Sequence, residues 1–232
     1  MTPQDVLPLY DRLGPAWAGL RDRTLFERHW LDRFLSLCPR GTGKRRILDL
    51  GCGAGRPIAA YLVDRGASVT GVDGSQPMIR LFQEAVPQAR ALHRDMRGLE
   101  LGERFDGILL WDSFFHLPPE DQRPLFATLA AHAAPGAALL FTSGPAAGVA
   151  IGTLGGEPLY HASLDPGEYR ALLADAGFGA VGFVPDDPAC GGHSIWLARY
   201  RAQIGSGQTG GLRQECGDET LRQDRAGQTG AT

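Results

Sequence analysis

The chain has no asparagine, no cysteine pair at C-x-x-C spacing and no excess of positive charge. It also has no run approaching the roughly 18 apolar residues of a membrane span. Each absence removes a class of function. Cys38, Cys52, Cys190 and Cys216 stand far apart, so neither a structural zinc site nor a paired redox motif is expected. Such scatter suits a reducing cytoplasm better than a disulfide scaffold. A net charge of −3 gives no electrostatic ground for nucleic acid or an anionic membrane as partner. The opening "MTPQDVLPLYDRLG" carries two acids and no continuous apolar segment, so it does not read as a secretion signal. What is present is ordinary globular material: 43% hydrophobic residues in a chain of 232, enough for one domain with a sizeable core.

Periodicity sets the organisation. Residues 5 to 37 read as helical, with Leu25, Phe26, Trp30, Leu31, Phe34 and Leu35 at helical spacing, until "PRGTGKR" breaks the pattern. Strands then alternate with helices. "RILDL", "SVTGVD", "ARALHRD", "FDGILLWD" and "AALLFTSG" read as strands. "PIAAYLVDRG", "QPMIRLFQEAV" and "PPEDQRPLFATLAAHAAPG" read as helices, the last closed by its Pro-Gly. Parallel strands need crossovers, so this order predicts a doubly wound α/β sheet with helices on both faces. "GPAAGVAIGTLGGEPLYHASLD", residues 144–165, is glycine-rich and aperiodic and reads as a functional loop. "DPGEYRALLADAGF" is a further helix stopped at Gly177, and "AVGFVPD" and "HSIWLARY" are a closing pair of strands. From Gln203 onward apolar residues almost vanish. Residues 203–232 read as a disordered tail, 1–44 as an N-terminal helical lid and 45–202 as the α/β domain.

The stretch "ILDLGCGAGRP" raises the question of ligand. In a doubly wound sheet the ligand lies at the carboxyl ends of the strands, so the first strand–loop–helix is the place to look. Gly51, Gly53 and Gly55 allow a tight turn and close approach of backbone to ligand. The spacing is G-x-G-x-G, with Arg56 where the dinucleotide fingerprint has its third glycine. Asp49, inside the strand, would repel a pyrophosphate and suit an ammonium group. Asp73, closing the second strand, can accept from ribose hydroxyls. Asp95 either accepts from an adenine amino group or caps a turn. Met96 and Met78 either pack on the ring or on the core. Adenine, ribose and a cationic amino-acid end, without phosphate, describe S-adenosylmethionine.

With "ILDLGCGAG", "VTGVDGSQPMI", "RDM" and "FDGILLWDSFFHL" in this order, residues 45–143 resemble the class I S-adenosylmethionine-dependent methyltransferases. The resemblance implies a seven-stranded, mostly parallel sheet of order 3-2-1-4-5-7-6, with the seventh strand antiparallel. It implies S-adenosyl-L-methionine as cofactor, held by Asp49, Gly51, Cys52, Gly53, Gly55, Asp73, Gly74, Ser75, Met78, Asp95, Met96 and Asp112.

Methyl transfer from a sulfonium needs an aligned acceptor and exclusion of water. A base helps only if the nucleophile must lose a proton. The acceptor is expected over "WDSFFHL", where His116 is the candidate base or else a residue fixing its loop by hydrogen bonds. Tyr10, Trp17, Arg21 and Arg23 from the N-terminal helices, with Glu157, Tyr160, His161 and Asp165 from the 144–165 loop, are expected to roof the pocket. Tyr10 and Trp17 are equally readable as core aromatics, and His161 and His193 as packing residues. "DSFFHL" lacks the N-P-P-Y or D-P-P-Y signature of methyltransferases acting on flipped bases or glutamine amides. A catechol-type magnesium site needs clustered acids and an amide; Asp112 stands alone and the chain has no asparagine, so no metal is expected. The expectation is a small-molecule acceptor methylated at oxygen or nitrogen. The alternatives are a cofactor-binding regulatory protein without transfer activity, and a nicotinamide-dependent oxidoreductase, which the glycine spacing and Asp49 disfavour.

Overall fold

The computed structural model describes residues 1–20 and 23–201. The tail expected at 203–232, and Arg21, lie outside these residues.

Seven strands form the central sheet: β1 (Arg46–Leu50), β2 (Ser68–Asp73), β3 (Arg90–His93), β4 (Phe105–Leu110), β5 (Ala133–Ser143), β8 (Phe178–Asp187) and β9 (His193–Tyr200). Their order is β3-β2-β1-β4-β5-β9-β8. Pairings from β3 to β5 are parallel, and β9 runs antiparallel to both of its neighbours. Counted within the sheet alone this is 3-2-1-4-5-7-6 with only the seventh strand reversed, as the family resemblance implies.

The central strands are apolar on both faces because both faces are covered. Ile47, Leu109 and Leu140 point to one side and pack with α2 (Arg28–Leu37), α3 (Ile58–Asp64) and Phe82 of α4 (Gln76–Ala85). Leu48, Leu50, Ile108, Leu110, Leu139 and Phe141 point to the other. There they meet Leu125, Phe126 and Leu129 of α5 (Pro119–His132) and Tyr169 and Leu173 of α6 (Pro166–Asp175). The two-residue period of a strand sorts consecutive side chains into the two clusters.

Three elements differ from the sequence reading. The segment 5–37, read as helical with no break placed in it, divides into α1 (Val6–Leu20), preceded by one 3-10 turn, and α2. Trp30, Leu31 and Phe34 of α2 lie in the sheet core. Only α1, of the segment read as a lid, lies beyond it. Next, α5 ends at His132, and Pro135-Gly136 sits inside β5. There the register against β4 shifts and Gly136 takes φ +80°. The Pro-Gly pair makes a bulge, not a helix stop.

The third difference is the segment 144–165, which is a β-hairpin. β6 (Gly148–Leu154) pairs antiparallel with β7 (Glu157–Ser163) as a separate two-stranded sheet. Gly155 and Gly156 connect them at φ +60° and +86°, the two left-handed positions of a two-residue hairpin turn. An isolated hairpin is marginal in water, and this one is supported. Leu154, Leu159, Tyr160 and Ala162 form a third buried cluster with Val6 and Leu9 of α1. Arg12 also pairs with Glu157 across the same contact.

Candidate functional site

The strand order reverses between β1 and β4, which opens a crevice at their carboxyl ends. A cavity of about 310 Å³ lies there. Its floor is the loop after β1. Gly51 donates to the Val72 carbonyl at 2.7 Å, and Cys52 to the same oxygen at 3.1 Å. Gly51 has φ +74°, and a Cβ there would stand 2.2 Å from that of Ser113. Ser113 in turn donates to the Leu50 carbonyl at 2.7 Å. Glycine at 51 is therefore fixed by both conformation and crowding.

Asp73 organises the loop from the neighbouring strand. Its Oδ2 accepts from the Gly53 amide at 2.9 Å and its Oδ1 from the Ser75 amide at 2.8 Å. Burial raises its pKa, partly offset by these two bonds. Each oxygen keeps lone-pair capacity for a further donor. Burial, followed by the charges of Asp49 and Asp73, holds the Cys52 thiol well above its ordinary pKa. It is thus no nucleophile. Trp111 also lines the cavity, and its buried Nε1–H has no hydrogen-bond partner among the described residues. Asp112 follows at φ +50°, its amide donating to Thr142 Oγ1 at 2.9 Å. Left-handed backbone in a non-glycine residue is costly and concentrates at functional sites.

The opposite wall comes from α1 and the turn after β4. Tyr10, Trp17, Val6 and Leu7 line the cavity together with His116, Leu117 and Pro118. Tyr10 Oη and His116 Nε2 are 3.1 Å apart, and His116 Nδ1 lies 3.0 Å from the Tyr160 carbonyl. A carbonyl can only accept, so Nδ1 carries the proton and Nε2 accepts from the Tyr10 hydroxyl. The imidazole packs against Phe115 and His161, with ring centroids 4.9 and 5.0 Å away. Burial pushes its pKa down to about 4, with His161 adding to the effect and the Tyr160 carbonyl opposing it.

Of the residues singled out in the sequence, Asp49, Gly51, Cys52, Gly53, Gly55, Asp73, Gly74, Met78, Asp95, Met96, Asp112, Tyr10, Trp17 and His116 meet in this cavity. Ser75, Tyr160 and His161 do not line it. Ser75 is the fully buried N-cap of α4. Tyr160 serves through its carbonyl, and its side chain joins the α1–hairpin cluster. His161 packs against the His116 ring at a tilt of 41°. Glu157 is held by Arg12, Asp165 caps α6, and Arg23 is exposed. His193 lies 3.4 Å from the Asp112 carboxylate.

Asp95 makes the local bond of the turn-capping alternative, its Oδ1 accepting from the Arg97 amide at 2.9 Å. Both of its oxygens are taken by Arg97, at 2.6 to 3.0 Å, and Arg97 also reaches Asp121 at 3.0 Å. Burial raises the Asp95 pKa, but the Arg97 bonds outweigh it and the net shift is downward. Arg97 was missed by the sequence reading. The "RDMR" order alone does not show that the arginine folds back on its neighbour two residues earlier.

Residues 47–136 match the model of a methyltransferase domain family. Over those residues the chain is similar to methyltransferase domains. A ubiquinone biosynthesis O-methyltransferase from Alkalilimnicola ehrlichii is 31% identical over 91 residues. The match covers 37% of this chain and 36% of that relative, about a third of its length. Among solved structures, a magnesium protoporphyrin IX methyltransferase from Synechocystis with bound S-adenosylhomocysteine superposes with a TM-score of 0.66. It is 19% identical, with 86% of this chain and all of that one covered. An amino pentose methyltransferase from Micromonospora echinaspora gives 0.63 at 20% identity, covering 80% and 94%. These structures share the methyltransferase fold. Among the described residues, no group of three or more histidines, cysteines or acids is placed to hold a metal ion, and no helix is long and apolar enough to cross a membrane.

Proposed function

We propose that the protein transfers a methyl group from S-adenosyl-L-methionine to an oxygen or nitrogen of a small-molecule acceptor. The observation that carries this reading is one cavity in which the glycine loop and its acids face an aromatic wall from α1. The donor set fits the cofactor. Asp73 offers lone pairs to ribose hydroxyls while its other contacts hold the loop. Met78 and Met96 offer soft packing for a ring. Asp49, 4% exposed, gives the loop a negative field suited to an ammonium. Asp95 would meet the adenine amino group only while shared with Arg97. Asp112 would face the cofactor beside it. When bound, S-adenosylmethionine supplies an electrophilic methyl carbon, whose bond to sulfur breaks with its electron pair left on sulfur as the acceptor atom bonds to carbon. The chain's own task is to close α1 over the acceptor, orient it and exclude water.

The test is calorimetric titration with S-adenosylhomocysteine, with NADH in parallel. Micromolar binding of S-adenosylhomocysteine alone supports the reading; tighter binding of NADH overturns it. A second reading, a cofactor-binding protein without transfer activity, draws on His116, whose Nε2 is engaged by Tyr10 and whose basicity is low. Tight cofactor binding with no turnover across a broad acceptor panel would favour it.

A further inference from the structure

We infer that Tyr10 is the residue on which the acceptor's reacting hydroxyl docks, with His116 behind it as the proton's destination, and that the acceptor is a phenol. The inference rests on the cofactor reading above.

The geometry comes first. Tyr10 stands on the cavity wall and donates its hydroxyl hydrogen to His116 Nε2. A phenolic oxygen that donates still offers lone pairs, so it can accept from an incoming O–H. The donor direction is set from behind. The Tyr160 carbonyl fixes the His116 tautomer, and Phe115 and His161 fix the ring. The acceptor's oxygen can then lose its hydrogen as it gains its bond to carbon. That proton passes to Tyr10 Oη while the Tyr10 proton passes to Nε2. One positive charge enters the cavity with the cofactor and one remains on His116, so net charge is conserved. His116 returns its proton through Tyr10 to solvent once product leaves.

The acceptor class follows from the strength of this relay and the shape of the slot. His116 has no carboxylate on Nδ1 to strengthen it. Among the described residues the titratable groups facing it are Tyr10 from α1 and His161 from β7, itself lowered by burial and raised in part by Asp112. Held down to about 4, His116 is a weak base, and a weak base serves an acidic proton. A phenol, at about 10 on the scale of a tyrosine side chain, is far more acidic than an aliphatic alcohol. The slot agrees. Tyr10 and Trp17 meet edge to face with centroids 6.4 Å apart, and Val6, Leu7, Leu117 and Pro118 complete an apolar wall. An aromatic ring carrying one hydroxyl suits this apolar lining.

The test uses the full chain with S-adenosylmethionine and a graded set of phenols, from 4-nitrophenol to phenol, with 2-phenylethanol as control. Turnover is read as S-adenosylhomocysteine formed. Phenols should be methylated and the alcohol not. Tyr10→Phe keeps the ring and should keep S-adenosylhomocysteine affinity within about twofold. It should lose roughly 100-fold in kcat, the lower end of general acid–base contributions. Its rate should then climb with pH up to the acceptor's own ionisation, where the native rate is flat. Nitrogen-15 spectra of labelled histidine give a readout free of turnover: native His116 should show a protonated Nδ1 and a bare Nε2 whose shift moves in Tyr10→Phe. Equal methylation of the alcohol, no methylation of any phenol despite cofactor binding, an unchanged pH profile in Tyr10→Phe, or a protonated Nε2 would each overturn the inference. Failure of the native protein to bind S-adenosylhomocysteine would instead remove the cofactor reading, and this inference with it.

Discussion

Asp73 holds two backbone amides and still has capacity for two ligand hydroxyls, so its removal acts twice. Asp73→Ala should cost roughly 1–3 kcal/mol of S-adenosylhomocysteine binding, the range for leaving polar partners unmatched. Unchanged affinity in calorimetry would put the ribose elsewhere. Gly51→Ala should be harsher, because the added methyl meets Ser113 and the backbone is left-handed. A drop of several degrees in melting temperature should accompany lost cofactor binding. His116 adds a pH signature. Its pKa falls from 6.5 in the unfolded chain to about 4 in the fold, so between these values the unfolded chain binds the extra proton. Stability therefore drops as pH falls from about 6.5 to 4, by at most about 3 kcal/mol from this group. His161, also lowered by burial, acts in the same direction. His116→Phe should flatten that part of the stability curve, and denaturant titrations at pH 4.5 and 7 would show it. The glycines and Asp73 were legible in sequence because their spacing mirrors a backbone path. The Tyr10–His116 bond was not, since it joins residues 106 positions apart and no local pattern encodes such a meeting.

Among elements, the sheet strands were readable because burial on both faces demands short unbroken apolar runs, as "RILDL" and "GILLW" show. The hairpin 148–163 was not. Its outer strand leaves Val149 and Ile151 exposed, and Gly148 and Gly152 interrupt the alternation. What marks it is the Gly155-Gly156 turn, whose two left-handed positions name a hairpin connection. Gly156 has open space around it, so Gly156→Ala isolates conformational strain from packing. It should cost about 1–2 kcal/mol at the hairpin. The measurable consequence is a weakened acceptor site with S-adenosylhomocysteine affinity retained; equal losses of both would mean that the hairpin supports the cofactor loop as well. The place of the break within the N-terminal helical segment was hidden for a different reason. Leu25 and Phe26 keep helical spacing through the break between α1 and α2, and spacing alone does not register a turn.

At the scale of the molecule, the two clusters flanking the sheet contain no side chain from α1, which packs instead on the hairpin and on α4. A chain beginning at Thr24 should therefore keep a cooperative thermal transition and an α/β circular dichroism spectrum. It should also bind S-adenosylhomocysteine more weakly, since Leu7 and Tyr10 no longer cover the cavity. A featureless melt would show α1 to be part of the folding unit. The hairpin has a consequence for how such a protein can change over generations. His116 is oriented by a main-chain oxygen of residue 160, a contact that survives a change of the side chain there while the register of the ribbon is kept. The pocket's taste for acceptors and the chemistry that serves them are thus inherited separately. New substrates can be tried by point mutation at cavity-lining positions of α1 such as Leu7 and Trp17 without first losing the group that takes the proton.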